Sequence, residues 1–537
     1  MGGVVLPGLV DSHGHLIEHG LALERPALAG AGSMAEVRKV LRDHLASTKD
    51  ATHWLRGHGW DHTRWTDALG GPGAFPTAAD LDSGDKSGDK SGDKLREVPI
   101  MLTRVDVHGY LLNGAALAQV MARHPRLSEP LMNNNGIDEE GVARDPHTGM
   151  PSGVFMDKAM ALVESTAPPL TAAEVRAAAE RAQQAMLRAG LTGMHHAGAM
   201  PGDLAALASM DSVGALRVRV YAMVRAFPMT GTQTPPTTPE QRARRLVVRS
   251  VKLFLDGALG SHGAALAADY DDRPHERGTT LCAERECPEL RDVVGKWHAA
   301  GWQVCIHAIG DHANRLAVDA IASAKLPADA RPRIEHAQIV DPADIVRMGA
   351  LGIVPSMQPT HATSDMHYAL ARLGHERMRG AYAWRSMLRA GVPALALGSD
   401  FPVEPLDPLA GMYAAVARMD RFGQSPHGDN TPWYGEQALA AGEALRGFTR
   451  DAAFAAMSEQ AVGSLAPGMR ADLTVVDRDP LLLLSSGDPK QVLDGGVRVL
   501  ATVVDGVAEY VVEGEAGDPW RAMAPSPKMA ALEAVAP

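Results

Sequence analysis

Eight short apolar runs punctuate this chain: VVLPGLVDSHGH (4–15), GLTGMHHAG (190–198), LRVRVYAMV (216–224), RSVKLFLDG (249–257), GWQVCIHAIG (301–310), PRIEHAQIV (332–340), LGIVPSMQP (351–359) and VPALALGSD (392–400). Each has strand length, and most are followed by a stretch with helical spacing. The segment TAAEVRAAAERAQQAMLRAG (171–190) is the clearest, with Thr171 as N-cap and Gly190 as C-cap. Apolar strands joined by helices pair in parallel, because only a crossover brings the chain back in the same direction. Eight such units predict an α/β chain folded as a (β/α)8 TIM barrel.

The remaining sequence attaches to that frame. Residues 25–180, between the first two strands, mix polar helices, tryptophans and turns, and are expected to form an inserted cap subdomain over the barrel mouth. Within them SGDKSGDKSGDK (83–94) repeats perfectly with no apolar residue to bury, so it reads as a solvated loop. VPIMLTRVDVHGYLLN (98–113) reads as one strand with Arg104, Asp106 and His108 on one face. The expected division is 1–460 for the barrel with its insertion, 461–514 for a small, incomplete β-sandwich, and 515–537 for a loose tail.

Charge and cysteine content narrow the function. Lys and Arg total 52 against 64 Asp and Glu, a net charge of −12 with no basic block, which argues against a nucleic-acid partner. No apolar run reaches the length of a membrane span, and no signal segment opens the chain. The three cysteines, Cys282, Cys287 and Cys305, fit neither a zinc pattern nor a disulfide framework, so a reducing, cytoplasmic location is expected.

Histidine carries the chemistry. In a strand, His13 and His15 point to the same side. Barrel enzymes gather their reactive groups at the C-terminal ends of the strands. There this chain places His13 and His15 on the first strand, His307 on the fifth, His336 on the sixth and Asp400 at the end of the eighth. Lys252 sits mid-way along the fourth, where an ammonium would repel a bound cation. A lysine that has lost its proton can instead take up carbon dioxide and become a carbamate, an anion able to bridge two metals.

The segments LPGLVDSHGHL, TRVDVHGYLLN, SVKLFLDGALGS, IHAIGDHAN, RIEHAQ, MQPTH, ALGSDFPVEPLDP and GSLAPGMRADLTVVD together resemble the metal-dependent amidohydrolase superfamily, specifically amidohydrolase family 3, which includes N-substituted formamide deformylases. The resemblance runs from residue 4 to about residue 510. It implies a barrel with a small β-sandwich and a binuclear site, with His13, His15 and Asp400 on one metal, His307 and His336 on the other, and carboxylated Lys252 between them. The nitrogen and oxygen donors suit two Zn2+ and allow Mn2+, Fe2+ or Co2+. The implied reaction is hydrolysis of a small-molecule amide by a metal-bound hydroxide, with Asp400 and Lys252 as catalytic residues. A homodimer is the family-level expectation. Relatives usually begin some fifty residues earlier, commonly carry Asp at the place of His196, and often carry Arg at the place of His262.

Substrate contacts are less specified. Trp60, beside Trp54 and Trp65, reads either as the wall of an apolar pocket or as cap core. Arg104, Asp106, His108, His196, His262 and His361 are the polar candidates. Asp256 is expected to support the site from behind Lys252. The same ligand set would serve a lactonase, esterase or dipeptidase. A catalytically inactive binding protein is the third reading, disfavoured because every ligand position is filled.

Overall fold

The computed structural model describes residues 3–47, 54–62, 65, 67, 75–83, 92–131, 138, 140–226, 244–282, 284–426, 428, 431–493 and 495–512. The chain divides into two compact units, one of Met1–His19 with Val175–Pro537 and one of Gly20–Glu174.

The larger unit holds eight parallel strands in sequence order: Leu9–Gly14, Leu191–Ala199, Arg219–Arg225, Leu246–Phe254, Gln303–Ala308, Arg333–His336, Val354–Met357 and Ala396–Leu397. All eight predicted runs supply a strand. Alternating strands and helices thus build the (β/α)8 barrel that the pattern requires. The last strand is short, and closure onto the first comes from its trailing loop. Asp400 N–H donates to the His13 carbonyl at 2.7 Å, and His15 N–H donates to the Phe401 carbonyl at 2.7 Å. Two glycines permit this approach: a Cβ at Gly14 would stand 2.5 Å from the Phe401 ring, and one at Gly398 would stand 2.5 Å from Asp11 Oδ1.

The first predicted run divides at Gly8. Leu9–Gly14 enters the barrel, whereas Val4–Pro7 pairs antiparallel with Leu473–Val476. Val499–Val504 and Val507–Val511 complete a four-stranded antiparallel sheet. That sheet docks at the N-terminal ends of the barrel strands. Leu9 N–H donates to Thr474 Oγ1 at 3.1 Å, Thr502 Oγ1 donates to the Leu187 carbonyl at 2.6 Å, and Arg219 pairs with Asp472. The accessory sheet is therefore tied to the barrel face opposite the one that carries the chemistry.

The helix Ala172–Arg188 opens as expected: Thr171 Oγ1 accepts from Glu174 N–H at 3.2 Å, and Glu174 Oε2 accepts from Thr171 N–H at 2.7 Å. Gly190 follows with φ of 86°.

The smaller unit is built on a five-stranded sheet, ordered Leu55–Trp60, Ile100–Arg104, Gly109–Leu112, Pro151–Met156, Val142–Arg144. Alternation sends Ile100 and Leu102 to a core shared with the helix Met34–Ser47, and Met101 to a second core shared with the helix Gly114–Arg123. The run 98–113 is not one strand. It turns back through 105–108, with Val107 at φ 61°, so Asp106 and His108 sit in a turn. Of the SGDK repeat, 84–91 lies outside the described residues and 92–94 enters the helix Gly92–Glu97. The tail from 515 also lies outside them.

One cysteine expectation is overturned: Cys282 and Cys287 form a disulfide, and Cys305 is free and buried. Five residues of separation close a small loop that spacing rules for multi-disulfide frameworks do not cover. The cysteines therefore lend no support to a reducing compartment. Among the described residues, no helix is long and apolar enough to cross a membrane.

Candidate metal centre

At the C-terminal rim of the barrel, Asp400 stands at the meeting point of four histidines. Its Oδ1 lies 2.9 Å from His15 Nε2 and 3.5 Å from His13 Nε2, and its Oδ2 lies 3.7 Å from His361 Nε2. His13, His15 and Asp400 form one group whose donor atoms lie within 4.8 Å of one another, and His336, His361 and Asp400 form a second. The His336 ring packs 4.8 Å from that of His13, 4.4 Å from that of His307, and parallel to that of His361 at 5.9 Å.

Backbone conformation makes this convergence possible. On the sixth strand, alternation turns Arg333 and Glu335 inward and would send His336 outward. His336 and Ala337 take φ of 72° and 42°, which swings the imidazole back to the rim. Asp400 also has a left-handed φ, 62°. Such conformations are unfavourable for these residue types and persist where surrounding structure imposes them.

Lys252 reaches the same place. It is buried, and its Nζ lies 3.3 Å from His13 Nε2. Burial pushes its pKa down to about 8, against the pull of Glu335 and Asp400. Burial, helped by the Lys252 charge, also lowers His13 to about 4. Burial alone would raise Asp400, but His13, His15 and His361 hold its carboxyl below the usual range. A divalent cation needs unprotonated imidazoles and an ionised carboxylate, and burial favours the first at His13 and His336 while the neighbouring histidines favour the second at Asp400. The donor set fits: nitrogen and oxygen only, with His361 Nε2 buried and making no hydrogen bond among the described residues.

The predicted residues distribute unevenly. His13, His15, Lys252, His336 and Asp400 converge, and His361, expected as a substrate contact, joins them. His307 packs on His336 but belongs to neither three-residue group; its Nε2 lies 3.5 Å from Asp256 Oδ1. Asp256 accepts from the N–H groups of Ala265, Ile309 and Gly310, so it ties the fourth strand's loop to the fifth. His196 accepts at Nδ1 from Leu16 N–H at 3.3 Å, bracing the backbone just past His15. Burial opposes its charge, yet Asp203 and Glu18 raise its pKa. His262 sits at φ 59° in the loop after the fourth strand, 3.1 Å from Asp272. Burial and two arginines lower its pKa to about 4.

In the smaller unit, Trp60 is fully buried and its Nε1 donates to the Leu102 carbonyl, which assigns it to the core. Arg104 pairs with Asp106 and lies 3.4 Å from Asp61, and His108 Nδ1 is 2.8 Å from Asp157. Burial works against the Asp106 carboxylate, but Arg104 and His108 keep its pKa lowered.

The sequence reading missed what lies beneath the histidines. Glu335 Oε2 is 2.5 Å from His13 Nδ1, and Gln358 Oε1 is 2.9 Å from His336 Nδ1. Asp11 accepts from His13 N–H and Ser399, with its pKa raised to about 7 by burial. The available signal was alternation: Asp11 stands two before His13, and Glu335 stands two after Arg333 on the sixth strand.

Known proteins agree with this architecture. Protein LONG AFTER FAR-RED 3 of Arabidopsis thaliana is 32% identical over 527 residues, covering 95% of this chain and 82% of that protein. The N-substituted formamide deformylase of Arthrobacter pascens is 26% identical over 527 residues, covering 95% and 89%. The crystal structure of an uncharacterized metal-dependent hydrolase from Pyrococcus horikoshii OT3 superposes with a TM-score of 0.68 at 27% identity, covering 90% of this chain and 87% of that one. The sequence pattern of the amidohydrolase family matches residues 1–510, and with the barrel and its rim of histidines the chain belongs to that family.

Proposed function

We propose that this chain hydrolyses the C–N bond of a small non-peptide amide, with N-substituted formamides as the first candidate class. The observation that carries the reading is Asp400, one carboxylate common to two groups of histidines at the barrel rim. The similarity to a formamide deformylase supports the substrate class. Divalent cations held by His13, His15, His307, His336 and Asp400, with zinc the first candidate, would polarise the carbonyl and acidify water.

The chain's own groups do the rest. Asp400, ionised by its histidine neighbours, takes a proton from the attacking water at one carboxylate oxygen and returns it to the departing amine. His15, 2.9 Å from Oδ1, fixes the carboxylate's orientation. His361 faces Oδ2 and is placed to meet substrate or a cation. Burial lowers the Lys252 pKa to about 8, which eases loss of its proton. Its amine can add to carbon dioxide, forming an N–C bond and releasing one proton, and so turns a repelling ammonium into an anionic donor.

The test is a turnover panel on protein reconstituted with metal: formamides, acyl amino acids, cyclic imides and lactones. Hydrolysis of formamides or other amides, abolished by chelation and restored by metal, supports the reading. Hydrolysis of lactones alone overturns it.

A further inference from the structure

We propose that Glu335 is the positioning residue of this centre, setting the tautomer and aim of His13, and that Arg333 holds Glu335 in place. The inference rests on the metal-centre reading above. Arg333 and Glu335 occupy the inward face of the sixth strand, and both are fully buried. The Arg333 guanidinium spans the barrel interior. It donates from Nε to Glu335 Oε1 at 2.8 Å, from Nη2 to the Ser12 carbonyl at 2.9 Å and to Ser356 Oγ at 3.1 Å, and its Nη1 lies 2.9 Å from His195 Nδ1. Four strands therefore fix one cation, which fixes one carboxylate.

The other Glu335 oxygen lies 2.5 Å from His13 Nδ1. An ionised carboxylate can only accept, so Nδ1 carries the proton and Nε2 keeps its lone pair. That lone pair faces Asp400 Oδ1 at 3.5 Å and accepts from Lys252 Nζ at 3.3 Å. A flipped or Nδ1-unprotonated ring would aim a hydrogen or a carbon into the centre. Carboxylates behind ligating imidazoles orient the ring and raise its basicity. His13 is braced in this way by a charge, whereas His336 is held by the neutral Gln358 amide. The two groups at the rim are thus unequal, with the stronger donor on the side of the first strand.

The test uses apoprotein titrated with Co2+, followed by visible absorption and competition with a chelator. Glu335→Gln keeps the size but removes the charge. Its Co2+ affinity should fall by ~10–100-fold, with an altered absorption band and an unchanged far-UV circular dichroism spectrum. The double variant Arg333→Gln/Glu335→Gln removes the uncompensated guanidinium. If it stays weak, the loss traces to His13; if it regains wild-type affinity, the loss came from a buried unpaired charge and the proposal fails. Wild-type affinity in Glu335→Gln also overturns it while leaving the metal centre intact, whereas a wild-type protein that binds no Co2+ overturns both.

Discussion

Two polar clusters in this molecule look alike in composition and differ in construction. At the barrel rim, His13, Lys252, His336 and Asp400 come from four different strands or their ends. In the smaller unit, Arg104 ends a strand and Asp106 and His108 sit in the turn after it, joined by Asp61 and Asp157. The turn cluster balances itself, arginine against aspartate and histidine against aspartate. The rim cluster gathers imidazoles about one carboxylate, with an amine whose charge burial disfavours. Local chain geometry brings Arg104 to Asp106, and Asp157 reaches His108 from the end of a neighbouring strand of the same small sheet. The rim cluster needs a closed sheet, because its members stand on strands far apart in the chain.

Removing the shared carboxylate tests this contrast most severely. Asp400→Asn should lower kcat/KM by ~10²–10⁴-fold, the usual worth of a general acid–base, with the circular dichroism spectrum unchanged. Asp106→Asn should leave kcat within a few fold; an equal loss at both would erase the distinction between the clusters.

Next in size is Trp60→Ala. A fully buried indole deleted from the smaller unit's core should cost about 3–5 kcal/mol, read by urea denaturation. A loss below about 1 kcal/mol would return Trp60 to the role of a pocket wall.

Acid should separate the two regions further. His262 titrates at about 4 in the fold, against an ordinary 6.5. The unfolded chain therefore binds its proton first as pH falls. The stability contribution is complete above 6.5 and is lost progressively down to 4. His13, also at about 4, acts in the same direction. His262→Asn should flatten the fall in Tm between pH 7 and pH 5; parallel curves for variant and wild type would refute the assignment. The smallest effect belongs to the exposed Lys39–Asp43 pair, 3.0 Å apart on a helix of the smaller unit. Lys39→Ala should shift stability by less than about 0.5 kcal/mol in denaturant melts, and a larger change would mean the surface of this unit is coupled to its core.

The barrel was legible because its signal is local and repeated. Apolar runs of strand length, separated by capped helices such as the one opening at Thr171, can close in few ways. Trp60 was ambiguous for the opposite reason: an indole beside polar residues suits a pocket or a core equally, and only the contact with the Leu102 carbonyl decides. Strand 98–113 failed because Val107 adopts a left-handed turn without the glycine that normally marks one. The Cys282–Cys287 bridge failed because a single short loop leaves no pattern to read.

Residue order alone established the parallel barrel, the interruption between its first and second strands, and histidines at the ends of strands, since each follows from periodicity and position along the chain. Tertiary structure decided which of those side chains meet. Closure brings residue 13 beside residue 400, and left-handed turns at His336 and Asp400 aim side chains that simple alternation would send elsewhere. The pairing of Glu335 with His13 across 322 positions is of this kind. Contacts between distant strands depend on register and on local φ, and neither is encoded in the spacing of any single segment.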